Sequence, residues 1–244
     1  MPVALLGDGH IILRSVNKIY ASPESAVADI PDGATIMVGG FGVTGVPFTL
    51  IKALARKGSQ NLTIIANSGG GRLPDIDLSI VMKNGQVKKL ITTYPVYTGR
   101  TTAFEERYLK GEIEMEMVPQ GTFAERIRAG GAGIPAFYTP TGAGTKLAEG
   151  KEIRIFNGRP HVLEHALHAD FALIKAHKAD SMGNLIYHRA ARNFNPIMAT
   201  AAEITIAEVT EIVEKGQLDP EAIITPAIYV DRIVIGEKHE IRFD

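Results

Sequence analysis

Residues 32–47 read Asp32-Gly33-Ala34-Thr35-Ile36-Met37-Val38-Gly39-Gly40-Phe41-Gly42-Val43-Thr44-Gly45-Val46-Pro47. Residues 34–38 are apolar, contain β-branched side chains and lie between two glycine-containing pairs, a pattern typical of a buried strand. Pro47 suits the first turn of a helix, in which Leu50 and Leu54 share a face before Gly58 ends it. The stretch therefore predicts a strand, a glycine loop and a helix, in that order.

The same alternation continues along the chain. Further strands are predicted at residues 62–66, 88–92, 113–117, 162–163, 171–175 and 203–209. Further helices are predicted at residues 76–82, 102–109 and 124–129, with a long loop at 130–145 and a turn at 219–221. Because strands that alternate with helices are typical of a parallel sheet, we expect an α/β fold with a single open, mostly parallel, doubly wound sheet. No repeat or charge-rich linker divides the chain, so we expect one domain at 21–244, preceded by a leader or first strand at 1–20.

The composition limits the classes of function. With 45% hydrophobic and 22% charged residues, the 244-residue chain has the composition of an ordinary globular protein. A net charge of -1 provides no basic surface, so we expect no nucleic acid and no membrane among its partners. No apolar run reaches the ~18 residues that a membrane span needs. The absence of cysteine excludes disulfides, thiolate metal sites and cysteine nucleophiles, and is compatible with a cytoplasmic location.

Gly40, Gly42 and Gly45 have the G-x-G-x-x-G spacing of a dinucleotide-binding loop. Glycines let the backbone approach a ligand closely, and the free amides at the start of the next helix suit a phosphate or an oxyanion. A dinucleotide site also needs an acidic residue ~20 positions further on to bind the ribose, but Asn67 follows the second strand here. The sequence therefore disfavours an NAD-dependent oxidoreductase. A tight turn without any ligand is a second alternative.

The glycine loop and several later strings resemble the α subunit of the family I CoA-transferases of the 3-oxoacid type. The later strings are Val118-Pro119-Gln120-Gly121-Thr122-Phe123-Ala124-Glu125-Arg126, Ile134-Pro135-Ala136-Phe137-Tyr138-Thr139-Pro140-Thr141-Gly142, Ala169-Asp170-Phe171-Ala172-Leu173-Ile174-Lys175-Ala176, Asp180-Ser181-Met182-Gly183-Asn184-Leu185 and Ala191-Arg192-Asn193-Phe194-Asn195-Pro196-Ile197. The similarity runs from about Tyr20 to Gly236. It implies the CoA-transferase-like fold and an α-subunit domain over residues 21–244.

The resemblance also implies a reaction. CoA moves between an acyl-CoA, such as succinyl-CoA or acetyl-CoA, and a 3-oxo or short-chain carboxylic acid by a ping-pong mechanism. In the family, a glutamate of the β subunit forms a glutamyl-CoA thioester; it lies in a Glu-Asn-Gly motif, and this chain contains no Glu-Asn pair. The resemblance thus implies an α2β2 heterotetramer with that β subunit, coenzyme A as a substrate, and no tightly bound cofactor. A nucleotide- or acyl-binding module without catalysis is the alternative.

The resemblance further implies that the glycine loop contacts CoA or the acyl group. The expected contact residues are Gly39, Gly40, Phe41, Gly42, Val43, Thr44, Gly45, Asn67 and Gly121. Gln120 is the candidate for an oxyanion or acyl contact, because its side-chain amide can donate a hydrogen bond; the alternative is a hydrogen bond at the entry of the helix, ahead of Ala124. Six glutamates of this chain belong by spacing to solvated faces, and none is expected to be the nucleophile. They are Glu105, Glu106, Glu112, Glu114, Glu116 and Glu125.

Two loops depart from the family pattern. Residues 67–72 read Asn67-Ser68-Gly69-Gly70-Gly71-Arg72, where relatives commonly have an Asn-Asn turn. Residues 94–100 read Tyr94-Pro95-Val96-Tyr97-Thr98-Gly99-Arg100 and add two tyrosines and a cation. Such loops either reshape the acyl pocket or simply cover the sheet, so the sequence leaves the acid substrate open.

The string His161-Val162-Leu163-Glu164-His165 has the H-x-x-E-H form of an inverted zinc protease motif. Zinc ligation needs both histidines on one face of a helix. Pro160 and the resemblance instead favour a strand, in which positions four apart lie ~13 Å from each other. No metal site is therefore expected.

Overall fold

The computed structural model describes residues 17–73, 75–96 and 99–237, so most of the predicted leader or first strand lies outside the described residues. The helices are α1 (Pro23–Val27), α2 (Phe48–Lys57), α3 (Ser79–Lys83), α4 (Ala103–Leu109), α5 (Gln120–Gly131) and α6 (Asn195–Thr200). The strands are β1 (Thr35–Val38), β2 (Leu62–Ala66), β3 (Val87–Thr92), β4 (Glu114–Met117), β5 (Ala136–Thr139), β6 (Ile153–Phe156), β7 (Arg159–His165), β8 (Ala169–Lys175), β9 (Lys178–Asp180), β10 (Leu185–Ile186), β11 (Ala202–Val209), β12 (Glu211–Val213) and β13 (Arg232–Ile235). None of these helices has both the length and the apolar character to cross a membrane.

Seven parallel strands form the main sheet, in the order β13-β11-β8-β1-β2-β3-β4. The chain moves outward from β1 to β4, returns to β8 on the other side of β1, and moves outward again to β13. The direction of strand order therefore changes between β1 and β8. Open parallel sheets bind ligands outside the carboxyl ends of their strands at such a point. The glycine loop follows β1 directly, so the topology places it there.

Helices cover both faces of the main sheet. Ile36 and Val38 of β1 belong to a core that includes residues of α1, α2, α3 and α4, whereas Met37 belongs to a core shared with α5 and α6. This alternation follows from the two-residue period of a strand and explains the continuous apolar sequence of β1. Each side chain of this size contributes roughly 1.5–3 kcal/mol when it is fully buried. The predicted doubly wound α/β fold is confirmed.

Local sequence explains the ends of two helices. Gly58 adopts a left-handed conformation with φ of +80°, and its amide donates to the Leu54 carbonyl at the end of α2. Thr102 caps α4: its hydroxyl accepts from the Glu105 amide, and the Glu105 carboxylate accepts from the Thr102 amide. Both helices therefore end or begin where short-range patterns predict.

Two predictions about the middle of the chain are wrong. The predicted loop at 130–145 contains β5, which pairs antiparallel with β7 in a small sheet of order β5-β7-β6. A second small sheet has the order β10-β9-β12. The four residues of β5 are all half-buried and show no alternation, which left no periodic signal. In addition, α5 begins at Gln120 rather than at residue 124.

Residues 18–20 extend the main sheet at its β13 edge. Ile19 forms a parallel bridge with Ile233, the Tyr20 amide donates to the Ile233 carbonyl at 2.9 Å, and the Ile233 amide donates to the Lys18 carbonyl at 2.7 Å. Arg232 spreads over the Tyr20 ring and also binds Asp29. The described part of residues 1–20 is therefore tied to the domain.

Candidate functional site

The glycine loop after β1 closes into a tight turn. The Phe41 amide donates to the Thr44 carbonyl at 2.9 Å, and the Thr44 amide donates back to the Phe41 carbonyl at 3.0 Å. Gly42, with φ of +61°, and Val43 occupy the centre of this turn, where a positive φ favours glycine. The Phe41 side chain is 52% exposed. The loop thus presents a backbone corner and an aromatic side chain outside the carboxyl end of β1.

Close packing requires three of the glycines, Gly39, Gly40 and Gly45, and a Cβ on Gly40 would lie against the side chain of Val46. A Cβ on Gly39 would lie 1.8 Å from Oδ1 of Asn195, and one on Gly45 would lie 2.4 Å from the Ala191 carbonyl oxygen. At Gly42, by contrast, no atom lies within 4 Å of an added Cβ. Packing therefore requires glycine at both ends of the loop, whereas the centre of the loop has open space around it.

Two asparagines that sequence reasoning did not select as site residues hold the loop. Asn193 accepts from the Gly40 amide at 3.2 Å and donates to the Thr44 carbonyl at 3.0 Å. Asn195, which is fully buried, donates to the Gly45 carbonyl at 3.0 Å. In the sequence these are two asparagines shortly before Pro196, and such a pattern does not reveal what their side chains contact.

Hydrogen bonding inside the loop limits which amides can serve a ligand. The Gly39 amide donates to the Leu173 carbonyl at 3.0 Å, and the amides of Gly40, Phe41 and Thr44 are likewise used. Within the described chain, the amides of Gly42 and Val43 donate to no protein group. These two amides are the ones that the turn can offer.

The start of α2 is closed to a ligand anion, contrary to the expectation from the sequence. Glu208 of β11 is 1% exposed, and its Oε2 accepts from the amides of Thr49 at 2.9 Å and Leu50 at 3.1 Å. Its Oε1 accepts from Nζ of Lys175 at 2.9 Å. The carboxylate therefore satisfies the first turn of α2 and interacts favourably with the helix dipole. The amides of Gly42 and Val43 in the turn, by contrast, are available to an oxyanion near this loop.

Three polar residues meet where β2, β3 and β4 end. Nε2 of Gln120 donates to Oδ1 of Asn67 at 2.7 Å, and the Thr93 hydroxyl donates to the same oxygen at 2.8 Å. Asn67 also lines a narrow crevice with Gly40 and Gly42. The structure therefore brings together the predicted residues Asn67, Gln120 and the glycine loop. Thr93 was not predicted, because its role depends on a contact between separate strand ends.

Gln120 is the first residue of α5 and therefore does not lie ahead of the helix, as a hydrogen bond at the entry of a helix starting at Ala124 would require. It is exposed, and its Nε2 is directed to Asn67. The next residue, Gly121, is also exposed and has no atom within 4 Å of an added Cβ. The first turn of α5 is therefore open beside the cluster of Asn67, Thr93 and Gln120.

A cleft of about 530 Å³ lies on the other side of the glycine loop, at the carboxyl ends of β8 and β11. Val43, Lys175, His177 and His188 are among its lining residues. The two imidazole rings have their centroids 5.4 Å apart. Burial, together with the neighbouring His188, holds the pKa of His177 below its usual value. The lowered pKa favours the uncharged form of the His177 imidazole.

The two loops that depart from the family pattern lie side by side. Ser68 and Tyr94 form a parallel bridge, and Arg100 donates to the Arg72 carbonyl at 3.1 Å. Residues 97–98 lie outside the described residues. The Tyr94 side chain is 48% exposed. The two loops therefore form one rim next to Asn67.

The glutamates considered as nucleophiles either have protein partners or lie on exposed faces. Glu116 binds Arg126 at 2.6 Å and Lys89 at 3.1 Å. Burial alone would raise the pKa of Glu116, but Arg126 and Lys89 hold it below its usual value. Glu105 accepts from the Thr102 amide, Glu112 binds Arg107, and Glu125 binds Arg128. The remaining two, Glu106 and Glu114, are exposed.

The H-x-x-E-H string forms β7, as predicted, and not a helix. Glu164 is 4% exposed and binds Nζ of Lys151 at 2.7 Å. Successive side chains of a strand alternate between faces, and residues four apart are too distant to share one zinc ion. In the residues that the structure describes, no group of three or more potential ligands is placed to hold a metal.

Comparisons with known proteins agree with this architecture. The chain matches the coenzyme A transferase family over residues 20–236. It is 50% identical over 229 residues to the α subunit of a probable succinyl-CoA:3-ketoacid coenzyme A transferase of Bacillus subtilis, covering 94% of each chain. It is 55% identical over 219 residues to the α subunit of the 3-oxoadipate CoA-transferase of Pseudomonas putida, covering 90% of this chain and 94% of that one.

A solved structure gives the same fold. The acyl-CoA transferase of Escherichia coli O157:H7, in a thioester complex with CoA, superimposes with a TM-score of 0.77 at 24% identity, over 90% of this chain and 47% of that one. At this identity the likeness concerns the fold alone. The family match covers nearly all of the described residues, and the α-subunit relatives cover almost the whole chain. The chain therefore belongs to the coenzyme A transferase family.

Proposed function

We propose that this chain is the α subunit of a two-chain 3-oxoacid CoA-transferase. The enzyme moves CoA between an acyl-CoA, such as succinyl-CoA or acetyl-CoA, and a 3-oxo or short-chain carboxylic acid. The observation that carries this proposal is the cluster of Asn67, Thr93 and Gln120 beside the free amides of the glycine turn. The names of the relatives support the reaction class.

The proposed chemistry uses a glutamate of the β subunit. Its carboxylate attacks the thioester carbon and expels CoA as a thiolate, which leaves an acyl-glutamyl anhydride. The thiolate then attacks the glutamyl carbonyl and expels the carboxylate product, which leaves a glutamyl-CoA thioester. A second acid reverses these steps. Each attack creates a tetrahedral oxyanion, which needs preorganised donors.

This chain supplies donors and one wall of the site. The amides of Gly42 and Val43 face the oxyanion, and Phe41 and Gly121 line the path of the acyl group or of CoA. Gln120 contacts the acyl group, and the hydrogen bond from its Nε2 to Asn67 holds its side chain at the site. The other loop residues, Gly39, Gly40, Thr44 and Gly45, shape this wall, since their packing and hydrogen bonds fix the turn.

The assembly follows from the missing nucleophile. The chain has no Glu-Asn pair, and the glutamates near the carboxyl edge are paired or exposed. We therefore propose an α2β2 heterotetramer, formed with the β subunit in the cytoplasm. Coenzyme A enters as a substrate, and no cofactor is tightly bound.

The test is reconstitution. The chain alone is expected to show no CoA exchange between an acyl-CoA and a free acid, whereas adding a β subunit that bears the Glu-Asn-Gly motif restores it. The reconstituted complex is then incubated with acyl-CoA, reduced with borohydride, and each chain is weighed by mass spectrometry. A modified glutamate in the β subunit supports the proposal. Full activity of this chain alone, or modification of one of its own glutamates, would overturn it, and tight NADH binding would favour the oxidoreductase.

Replacing Gln120 with leucine is expected to lower kcat of the reconstituted enzyme. We expect a loss of about 10- to 100-fold, less than the ~100- to 1,000-fold that loss of a direct oxyanion donor costs. Gln60→Leu is the matched control, because Gln60 precedes β2 at the opposite edge of the sheet. Steady-state kinetics of both variants check the result. Equal activity of Gln120→Leu and wild type would remove Gln120 from the site.

A further inference from the structure

We propose that Thr93 is a positioning residue, which fixes the side-chain amide of Asn67 so that its NH2 group faces the substrate. This inference rests on the proposed function, and it names the NH2 group of Asn67 as the donor at the strand ends. Thr93 follows β3 directly, and its hydroxyl lies 2.8 Å from Oδ1 of Asn67. The two residues are distant in the sequence, and they meet because each follows a different strand of the main sheet.

The hydrogen bonds fix which end of the Asn67 amide points outward. Oδ1 of Asn67 accepts from both the Thr93 hydroxyl and Nε2 of Gln120, so both of its lone pairs are used. Nδ2 of Asn67 has no hydrogen-bond partner in the described chain, and it is not among the fully buried atoms that lack one. The NH2 group is therefore the part of this amide that is available to a ligand.

The surroundings indicate what this NH2 group meets. Asn67 shares a narrow crevice with Gly40 and Gly42 of the glycine turn. The amide of Gly42 is one of the two free donors of that turn in the described chain. Asn67 and Gly42 line the same crevice, and an NH2 group and a backbone amide so close together suit an oxygen that becomes negatively charged, such as the former carbonyl oxygen of a thioester. Asn67 is thus a catalytic donor, and Thr93 acts through it.

A second hydroxyl provides a matched control. Thr92 donates to the backbone carbonyl of Asn67 at 3.0 Å, and that bond leaves the side-chain amide of Asn67 untouched. Thr93 also lies 3.1 Å from that carbonyl, but it is the one of the two that binds the side-chain oxygen. Thr92→Val therefore removes support from the backbone of Asn67, whereas Thr93→Val removes support from its amide.

The kinetic experiment uses the complex of this chain with the β subunit. Thr93→Val is expected to lower kcat about tenfold, the effect of one neutral hydrogen bond, with KM for the acyl-CoA changed less than about twofold. Thr93→Ser, which keeps the hydroxyl, restores kcat to within about twofold of wild type, and Thr92→Val leaves kcat within the same range. In an Asn67→Ala background, Thr93→Val has no further effect, because its partner is already gone. Equal losses for the serine and valine variants, or losses that multiply in the double variant, would overturn the proposal.

A spectroscopic experiment on the chain alone separates this inference from the proposed function. The side-chain amide signals of Asn67 and Gln120 are assigned in two-dimensional NMR spectra by their loss in Asn67→Ala and Gln120→Leu. Thr93→Val is expected to shift both sets of signals, and Thr93→Ser to return them to their original positions. Unchanged signals in Thr93→Val contradict the positioning role even if the enzyme is a CoA-transferase. Shifted signals together with an inactive wild-type complex would retain the positioning role and remove the proposed function.

Discussion

Replacing Glu208 with leucine is expected to lower the free energy of unfolding by about 3–5 kcal/mol. The carboxylate is 1% exposed and accepts hydrogen bonds from the amides of Thr49 and Leu50 and from Nζ of Lys175. Without it, the side chain of Lys175, which is 20% exposed, lacks its counter-charge, and two amides at the start of α2 lose their acceptor. Urea denaturation of wild type and variant measures the difference.

Two further variants separate the causes of this loss. Glu208→Leu combined with Lys175→Met removes the unpaired cation, so the expected cost falls to about 1–3 kcal/mol for the uncapped amides. Glu203→Gln changes an exposed carboxylate on the same strand and is expected to stay within about 0.5 kcal/mol of wild type. A Glu208→Leu variant as stable as wild type would mean that the start of α2 does not depend on this carboxylate.

Replacing Gly39 with alanine is expected to cost about 3 kcal/mol or more, because it combines overpacking with the loss of buried hydrogen bonds. The new Cβ would lie 1.8 Å from Oδ1 and 2.7 Å from Cγ of Asn195. Asn195 cannot move aside freely, since it is fully buried, accepts from the Lys175 amide at 2.9 Å and donates to the Gly45 carbonyl at 3.0 Å. The free energy of unfolding in urea gives the measurement.

The steric origin of this effect has its own controls. Gly121→Ala places a Cβ where no atom lies within 4 Å, so a change below about 1 kcal/mol is expected. In an Asn195→Ala background the three atoms nearest to the new Cβ are gone, and the added cost of Gly39→Ala should also fall below about 1 kcal/mol. If the cost stays the same in that background, the clash with Asn195 is not its cause.

Sequence patterns located the elements with strong short-range signals. The predicted strand at 62–66 coincides with β2, and Thr102 and Gly58 mark the start of α4 and the end of α2. Such features depend on the residue's own neighbours, through periodicity, capping and backbone conformation. By contrast, β5 shows no alternation and is stabilised by pairing with β7, so no local pattern could reveal it.

The candidate site divides in the same way. Resemblance and spacing selected Asn67, Gln120 and the glycine loop, which the structure indeed places around one edge of the sheet. Thr93 was missed because a threonine after a strand has no distinctive pattern. The expectation that the start of α2 offers free amides to an anion fails, because the buried carboxylate of Glu208, which is distant in the sequence, already accepts from two of them.

The sequence by itself determined the order of strand, glycine loop and helix, the doubly wound sheet and the membership of the family. The tertiary structure alone decided which side chains meet at the loop. Glu208 caps α2 from 159 positions away, and Asn195 fixes Gly45 from 150 positions away. Periodicity and capping act over a few residues, whereas these contacts exist because parallel strands bring distant segments to one edge of the sheet.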